Sequence, residues 1–270
     1  MDQVPPAIPD TSTVVELCQY TLHPGKRDVL IDLFERNFIE PQEAAGARIL
    51  GQFRDEDDAN RFVWLRGFRD MPSRAEALQS FYGGPVWKAH RSAANATMID
   101  SDDVLLLRPV DARSGFALPK ERPPVTASQP PVTASQPGSS LVVATIYLLP
   151  ASVDDDFTRL FEGRVAPLMA ATGAPSIARF RTEYAKNNFP ALPVREGEHA
   201  FVWFASFASA AEYDRHLARL RESSSWNDVQ PELARRLESP ARVLRLEPTA
   251  RSLVGHAEPV TFTTERTGRR

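Results

Sequence analysis

The chain has 270 residues, of which 42% are hydrophobic and 25% charged, and its formal net charge is −3. This composition is typical of a globular protein with one large domain or two small ones, and it excludes disorder of the whole chain. The small net charge excludes a general electrostatic attraction to nucleic acid or to an anionic membrane. Because Cys18 is the only cysteine, the chain forms no internal disulfide and no cysteine-based structural zinc site.

The first ten residues are polar, acidic and rich in proline. They lack the basic and apolar regions of a secretory signal, and no stretch of about 18 apolar residues is present that would span a membrane. We therefore expect a cytoplasmic protein with neither a membrane nor a nucleic acid as its partner. We expect residues 1–12 to be a disordered N-terminus and residues 250–270 to be a C-terminal tail.

The stretch before residue 110 predicts six elements in the order β-α-β-β-α-β. Alternating apolar residues indicate the strands, and apolar spacings of three and four indicate the helices. In chain order these elements are a strand at Val14–Leu22, a helix carrying Leu30, Leu33, Phe34 and Phe38, strands near Ala47–Arg54 and Arg61–Phe68, a helical region after Pro72 that is interrupted at Gly83-Gly84-Pro85 and continues to about Thr97, and a strand at Val104–Arg108.

Residues 111–140 are rich in proline, serine, threonine and alanine, and the sequence Pro-Pro-Val-Thr-Ala-Ser-Gln occurs twice there, at 123–129 and 130–136. Such a composition favours extended conformations and is not expected to bury a core. We interpret this stretch as a linker between two domains, which are predicted at residues 13–110 and 141–249.

The region after the linker repeats the pattern of the region before it. The positions correspond at an offset of 127 residues in the first part and at 139 in the second, so one insertion of 12 residues near Tyr184–His199 explains the change. The corresponding pairs include Tyr20 with Tyr147, Leu33-Phe34 with Leu160-Phe161, Phe53-Arg54 with Phe180-Arg181, Phe62-Val63-Trp64 with Phe201-Val202-Trp203, and Trp87 with Trp226. This pattern predicts a tandem duplication.

The predicted element order is that of a ferredoxin-like unit, in which both helices cover one face of a four-stranded sheet. The other face of each sheet must also be covered. We therefore expect an α+β protein in which two ferredoxin-like βαββαβ units form an intrachain pseudo-dimeric α/β barrel around a central cavity. The arrangement leaves open a further pairing of two chains through the outer helices.

Four segments of the first half resemble the NIPSNAP family: Glu-Leu-Cys-Gln-Tyr-Thr-Leu-His-Pro-Gly-Lys-Arg at 16–27, Gly-Gln-Phe-Arg at 51–54, Phe-Val-Trp-Leu-Arg-Gly-Phe at 62–68, and the stretch from Phe81 to Asp100. The resemblance covers roughly residues 14–110, and the second half lacks most of these motifs. It implies the dimeric α/β-barrel superfamily, which includes antibiotic-biosynthesis monooxygenases, muconolactone isomerases, polyketide cyclases and haem-degrading enzymes. The family name by itself fixes no reaction.

The duplication suggests which residues of the first half carry chemistry. His90 lies on an apolar helical stripe where the second half has Val229, and a half-buried imidazole is suited to general acid–base catalysis; the alternative is a histidine that is part of the core. Arg91 and Asn95 correspond to Gln230 and Ala234. They could hold an anion, or they could lie on a solvated helix face.

Arg66 lies on a strand among aromatic residues, and its counterpart is Ala205. It is interpreted either as a group that holds an anion or as the partner of an acid such as Glu16. The predicted catalytic residues are thus His90, Arg66, Arg91 and Asn95. The predicted substrate-binding residues, for which core packing is the alternative, are Tyr20, Trp64, Trp87, Tyr147 and Trp203.

No metal-binding spacing, nucleotide-binding glycine motif or hydrolase motif is present in the sequence, so we predict no metal and no cofactor. The leading hypothesis is an enzyme with a barrel cavity that performs cofactor-independent proton-transfer chemistry on a small molecule, as an isomerase, a cyclase or a monooxygenase does in metabolism or natural-product biosynthesis. One alternative is a ligand-binding or interaction scaffold without catalysis. Another is a haem-binding protein in which His90 or His23 ligates the iron.

Overall fold

Eight strands of the protein form a closed antiparallel barrel. The computed structural model describes residues 8–9, 11–125, 140–152 and 155–255. The barrel strands are β1 (Val14–Leu22), β2 (Arg48–Asp55), β3 (Arg61–Phe68), β4 (Val104–Pro109), β5 (Leu141–Leu148), β6 (Ser176–Thr182), β7 (Ala200–Phe207) and β8 (Arg242–Pro248). A short strand, Met98–Asp100, extends the sheet beside β1, and Ile8–Pro9 pairs with Ala117–Leu118.

The order of the strands divides the barrel into two similar halves. The first four strands lie in the order β4-β1-β3-β2, and the last four lie in the order β8-β5-β7-β6. Two antiparallel pairings, β2 with β8 and β4 with β6, join the halves and close the barrel. Each half therefore hides the edge strands of the other, which would otherwise present unpaired backbone groups.

Helices cover the outside of both halves of the barrel. In the first half they are α1 (Arg27–Asn37), α2 (Ile39–Ala44), α3 (Met71–Gly83) and α4 (Pro85–Asn95); in the second they are α5 (Asp155–Leu160), a π-helical turn (Phe161–Val165), α6 (Ala166–Thr172), α7 (Ala210–Glu222) and α8 (Ser224–Arg235). The predicted interruption of the second helical region is confirmed. Gly84 has an extended conformation and Pro85 begins α4, a position that suits proline because it needs no backbone N–H.

Side chains fill the interior of the barrel. Alternate residues of each strand point to opposite faces, so Val15 and Leu17 point inward while Glu16 and Cys18 face the helices. The inward set forms one cluster of buried apolar side chains from both halves, with Phe53, Phe180 and Phe204 among them. The prediction of a central cavity is therefore wrong, because the interior of an eight-stranded barrel is just wide enough to be filled by its own side chains.

Part of the predicted linker belongs to the core. Phe116 and Leu118 are buried, and the Phe116 ring lies 5.4 Å from that of Phe180 and 5.0 Å from that of Phe204. The expectation that residues 111–140 bury no core is thus wrong for 111–125, because two apolar residues among the polar ones suffice to anchor the segment. Residues 126–139, which hold most of the repeated sequence, lie outside the described part.

The predicted ends of the chain also differ from expectation where the structure describes them. Leu253 and Val254 are buried against the barrel core, so the predicted tail begins as packed structure. Ile8–Pro9 forms a two-residue strand within the N-terminus that was expected to be disordered. Residues 1–7, 10 and 256–270 lie outside the described part. Within it, no helix is long and apolar enough to cross a membrane.

Candidate functional site

A cavity of about 90 Å³, here called the first cavity, lies between the first-half helices and the outer face of β1 and β3. Half of its lining residues are aromatic, because the outward residues of these strands and the apolar stripes of α1, α3 and α4 meet there. The aromatic side chains of the wall are Tyr20, Phe34, Phe38, Trp64, Phe81, Tyr82 and Trp87.

Three charged side chains are buried together beside this cavity. Glu16 on β1 and Arg66 on β3 face each other in the strand register. Arg66 donates through Nε to Glu16 Oε2 at 2.8 Å and also through Nη2, while Arg74 of α3 donates through Nε to Glu16 Oε1 at 2.6 Å. All three side chains are at most 2% exposed. Two guanidinium groups and one carboxylate leave a buried excess of one positive charge.

The environment of this cluster fixes the protonation of its members. Burial alone would raise the pKa of Glu16, but Arg66 and Arg74 hold it below its usual value. Burial lowers the pKa of Arg66, and Glu16 more than offsets this, so the net shift is upward. The Glu16 carboxylate and the Arg66 guanidinium therefore stay ionised, and Glu16 is a counter-ion rather than a free general base.

Arg66 connects the charged cluster to the aromatic wall. Its guanidinium carbon lies 4.8 Å from the centre of the Trp64 ring and 6.0 Å from that of Tyr82. Its Nη1 donates to Gln42 Oε1 at 2.8 Å and lies 3.5 Å from the Tyr82 hydroxyl. A small annex of about 10 Å³, whose lining includes Glu16, Arg66 and Cys18 beside several apolar residues, shares wall residues with the first cavity. An anionic oxygen in the annex would therefore meet Arg66.

The other titratable groups at this site are neutral. Burial raises the pKa of Tyr20 and of Tyr82 above the usual phenol value. Burial, followed by the charge of Glu16, raises the pKa of Cys18. The two phenols are therefore hydrogen-bond donors, and the thiol is not an activated nucleophile.

Residues 183–199, here called the strap, connect β6 to β7 in the second half and lie over the site of the first half. Asn187 and Asn188 accept hydrogen bonds from Arg74 Nη1 at 3.0 and 2.8 Å. Leu192 packs against the apolar cluster around α3 and lines both the cavity and the annex. The segment in which the sequence analysis predicted an insertion thus supplies the cover of the first cavity.

The structure separates the predicted catalytic residues. Asn95 lies on the wall of the first cavity, and Arg66 lies at the annex. His90 is half-buried with its ring 6.2 Å from that of Phe38, outside the lining, and Arg91 is exposed. Among the predicted substrate-binding residues, Tyr20, Trp64 and Trp87 line the first cavity. Trp203 is instead buried in the second-half core, 5.8 Å from the ring of Phe161.

Tyr147 lies in a second cavity, at the matching place between the second-half sheet and helices. This second cavity has a volume of about 480 Å³ and is lined by Trp226, Leu233, Ala234 and Leu237 among others. The charged cluster has no counterpart there: the positions in the strand register that match Glu16 and Arg66 are Val143 and Ala205.

Sequence reasoning missed Arg74, Gln42 and Tyr82 as members of the site. At the same offsets their counterparts are Tyr213, Met169 and Arg221, so a search for first-half polar residues that the second half replaces would have found Arg74 and Gln42. No pattern in the sequence connects the strap to Arg74. Among the described residues, no group of three or more histidine, cysteine, aspartate or glutamate side chains could hold a metal ion.

The fold and the site define an α+β protein with a closed antiparallel barrel and a buried aromatic cavity under its outer helices. The structure of a "putative monooxygenase" from Fusobacterium nucleatum subsp. nucleatum ATCC 25586 is similar, with a TM-score of 0.52 and 10% identity over 92% of this chain and 96% of that one. An "anthrone oxidase-like protein" is similar with a TM-score of 0.51 and 12% identity over 89% and 92%.

The NIPSNAP family model matches residues 15–113. The predicted resemblance of this part of the chain to the NIPSNAP family is therefore confirmed. A NIPSNAP domain protein from Burkholderia xenovorans is 18% identical over 36% of this chain and 94% of that one, with a TM-score of 0.33. No curated protein matches the sequence.

Proposed function

We propose that the first cavity and its annex are the active site of an enzyme that acts on a small aromatic molecule through an anionic intermediate. The observation that carries the proposal is the position of Arg66. Its guanidinium contacts the aromatic wall and belongs to the charged cluster, which has one excess positive charge. Cationic groups that are fixed in place before the reaction stabilise a developing oxyanion without reorganisation.

Two buried donors at the site support a ligand with acceptor atoms. Within the described residues, Arg74 Nη2 and Trp64 Nε1 have no hydrogen-bond partner. A buried donor without a partner costs about 1–3 kcal/mol. Trp64 lines the first cavity and Arg66 lines the annex. A bound anion there would give Trp64 Nε1 a partner and would offset the excess charge.

The chemistry that fits these groups is proton transfer. A proton leaves a carbon of the substrate for a base. His90, the predicted base, packs beside Phe38 outside the lining, so it reaches the substrate only if the Phe38 ring moves aside when the ligand enters. The resulting enolate or phenolate oxygen is stabilised by Arg66 and by the neutral phenols of Tyr20 and Tyr82. Return of the proton to another carbon is an isomerisation, attack on a second carbonyl is a cyclisation, and reaction with dioxygen is an oxygenation. The names of the two similar structures agree with the last of these.

The proposal includes a tandem duplication, with the two halves as ferredoxin-like units paired within one chain. The element bounds support it, since β3 and α3, shifted by 139 residues, coincide with β7 and α7. Both halves also end their first helical region at a left-handed glycine, Gly46 and Gly173. In this view the two domains comprise residues 13–110 and 141–249, although the segments that follow each of them also pack on the barrel.

Ligand entry requires the strap to move. An apolar cavity of about 150 Å³ accepts benzene, whereas the covered first cavity measures about 90 Å³. The test therefore uses the smallest aromatic carboxylate, benzoate, and its uncharged analogue benzyl alcohol. We expect calorimetry to show that benzoate binds and that Arg66→Met weakens it about tenfold or more, the cost of a lost charge-assisted hydrogen bond. Lys88→Ala, on the exposed side of α4, is the matched control.

Several outcomes would contradict the proposal. Equal affinity for benzoate and benzyl alcohol would show that the excess positive charge does not contribute to binding. Unchanged benzoate binding by Arg66→Met would show the same. If that variant fails to fold, Tyr82→Phe keeps the ring and removes the hydroxyl near Arg66, and it is expected to weaken benzoate severalfold. A Soret band after incubation with haem, lost in His90→Ala or His23→Ala, would favour the haem-binding alternative instead.

A further inference from the structure

We infer that the second cavity is a separate binding site, and that its ligand is an uncharged, largely apolar ring compound. The inference stands on the size, lining and accessibility of this cavity, and it does not depend on the proposed function of the first cavity.

The second cavity occupies the same place in its half as the first cavity does in the other. Tyr147 on β5 forms part of its lining as Tyr20 on β1 does in the first, and Trp226 at the start of α8 corresponds to Trp87 near the start of α4. At the ends of the same helices and just beyond them, Leu233, Ala234 and Leu237 replace Ala94, Asn95 and Met98. The second-half positions are the more apolar ones, so this cavity favours hydrophobic surface over polar atoms.

The size of the second cavity suits a ligand. Its volume of about 480 Å³ lies within the range of roughly 300–1,000 Å³ that is usual for small-molecule pockets. The first cavity is too small to hold a ring without a movement of its cover. The second cavity therefore offers space for a bicyclic or tricyclic ring system in the structure as it stands.

Among the described residues, a covering segment lies over the first cavity and none lies over the second, which accounts for their different sizes. The segment that corresponds to the strap in the first half is the short turn at residues 56–60, between β2 and β3. Its acidic side chains bind the β8 residue Arg245, with Glu56 at 2.7 Å and Asp57 at 3.1 Å. The turn thus holds the seam between the halves and leaves the second cavity open.

The charge of the lining selects against an anion. Where the first half places Glu16 and Arg66, the second half has Val143 and Ala205, so the described part of the second half has no guanidinium at the position of Arg66. Glu238 is the one charged residue among those that line it. Gln230, Ser239 and the Tyr147 phenol are the polar side chains available, and burial raises the pKa of Tyr147 to about 12, so the phenol remains a neutral donor.

The test compares 2-naphthol, which is uncharged at pH 7, with the anion 2-naphthoate. The variant Ala234→Trp places an indole into the second cavity from an exposed helix position and should leave the core intact. Its matched control is Asn95→Trp, at the corresponding position in the first cavity. We expect 2-naphthol to bind the wild-type protein and to lose about tenfold or more in affinity in Ala234→Trp, with no loss in Asn95→Trp. We expect 2-naphthoate binding to be unaffected by Ala234→Trp.

A second measurement keeps the test independent of that variant. The indole N–H signal of Trp226 in an NMR spectrum, assigned by its absence in Trp226→Phe, should shift when 2-naphthol is added to the wild-type protein. Absence of 2-naphthol binding up to its solubility limit would overturn the inference. An affinity in Ala234→Trp within twofold of wild type would overturn it too, as would a loss confined to Asn95→Trp.

Discussion

Arg74 donates a hydrogen bond from Nη1 to Asn188 Oδ1 at 2.8 Å, and this contact joins α3 of the first half to the strap of the second. Through its Nε the same guanidinium binds Glu16. One buried arginine therefore links the charge of the candidate site to the segment that covers it. The site is completed by residues about 110 positions away in the sequence, which is why neither half contains it alone.

Removing the carboxylate of the buried cluster should be costly. Glu16→Gln leaves Arg66 and Arg74 buried together without a counter-ion, and we expect it to lower the free energy of unfolding by about 3–5 kcal/mol. Asp32→Asn removes one partner of an exposed pair with Arg36 and should cost at most about 0.5 kcal/mol. Urea denaturation at pH 7 measures both. Similar losses in the two variants would show that the buried cluster does not stabilise the fold.

The buried His216 should make stability depend on pH. Burial lowers its pKa in the folded protein below the usual 6.5. The unfolded chain therefore binds a proton first as the pH falls, so stability is greatest above about pH 6.5 and declines below it, by about 1.4 kcal/mol for each pKa unit of difference. His216→Phe should flatten the stability curve between pH 7.5 and 5.5.

A control separates this effect from a general dependence on pH. His23 is exposed at the turn before α1, so His23→Gln should keep the slope of the wild-type protein. Denaturant titrations at four or five pH values measure all three proteins. An unchanged slope in His216→Phe would contradict the assignment.

Shortening the side chain that covers the first cavity should change which ligands it accepts. Leu192 is half-buried and lines both the cavity and the annex. We expect Leu192→Ala to cost about 1–2 kcal/mol of stability and to favour larger rings, so that the affinity for 2-naphthoate rises relative to that for benzoate. Lys186→Ala, on the exposed part of the strap, should leave this ratio unchanged. Calorimetric titration gives the ratio, and an equal ratio in both variants would exclude Leu192 as the size-limiting group.

The segment after β4 should behave as part of the core. Phe116 is 2% exposed and contacts Phe180 and Phe204, so Phe116→Ala should cost about 3–5 kcal/mol. Arg113→Ala, at an exposed position of the same segment, should stay within about 0.5 kcal/mol of wild type. Thermal and urea unfolding compare the two. A small effect of Phe116→Ala would restore the original interpretation of this segment as a free linker.

The elements of the barrel could be predicted because they are locally encoded. The alternation of Val14–Leu22 and the break at Gly84-Pro85 need no information from distant residues, and the structure places both as expected. The packed interior was harder to foresee. Apolar residues on both faces of a strand are equally consistent with a lumen that is filled and with one that is hollow, and only the closure of the barrel decides between them.

In the candidate site, too, some features follow from local sequence patterns and others depend on distant parts of the chain. Tyr20, Trp64 and Arg66 share one face of two neighbouring strands, and their alternation along the sequence reveals this. The contact of Arg74 with Asn187 and Asn188 joins parts of the chain that no periodicity connects. His90 illustrates the opposite case: a helical stripe placed the residue correctly on α4 but could not show that it packs beside Phe38 outside the cavity lining.

The covalent connection of the two barrel halves has a consequence for how this protein can vary. In a barrel made by two identical chains, every substitution appears twice, so a residue that improves one cavity alters the other as well. Here the positions of Glu16 and Arg66 in one half correspond to those of Val143 and Ala205 in the other. Each half can therefore change without the same change in the other half. A single polypeptide can thus refine one cavity for charge and reshape the other for volume, while the shared seams keep both halves folded.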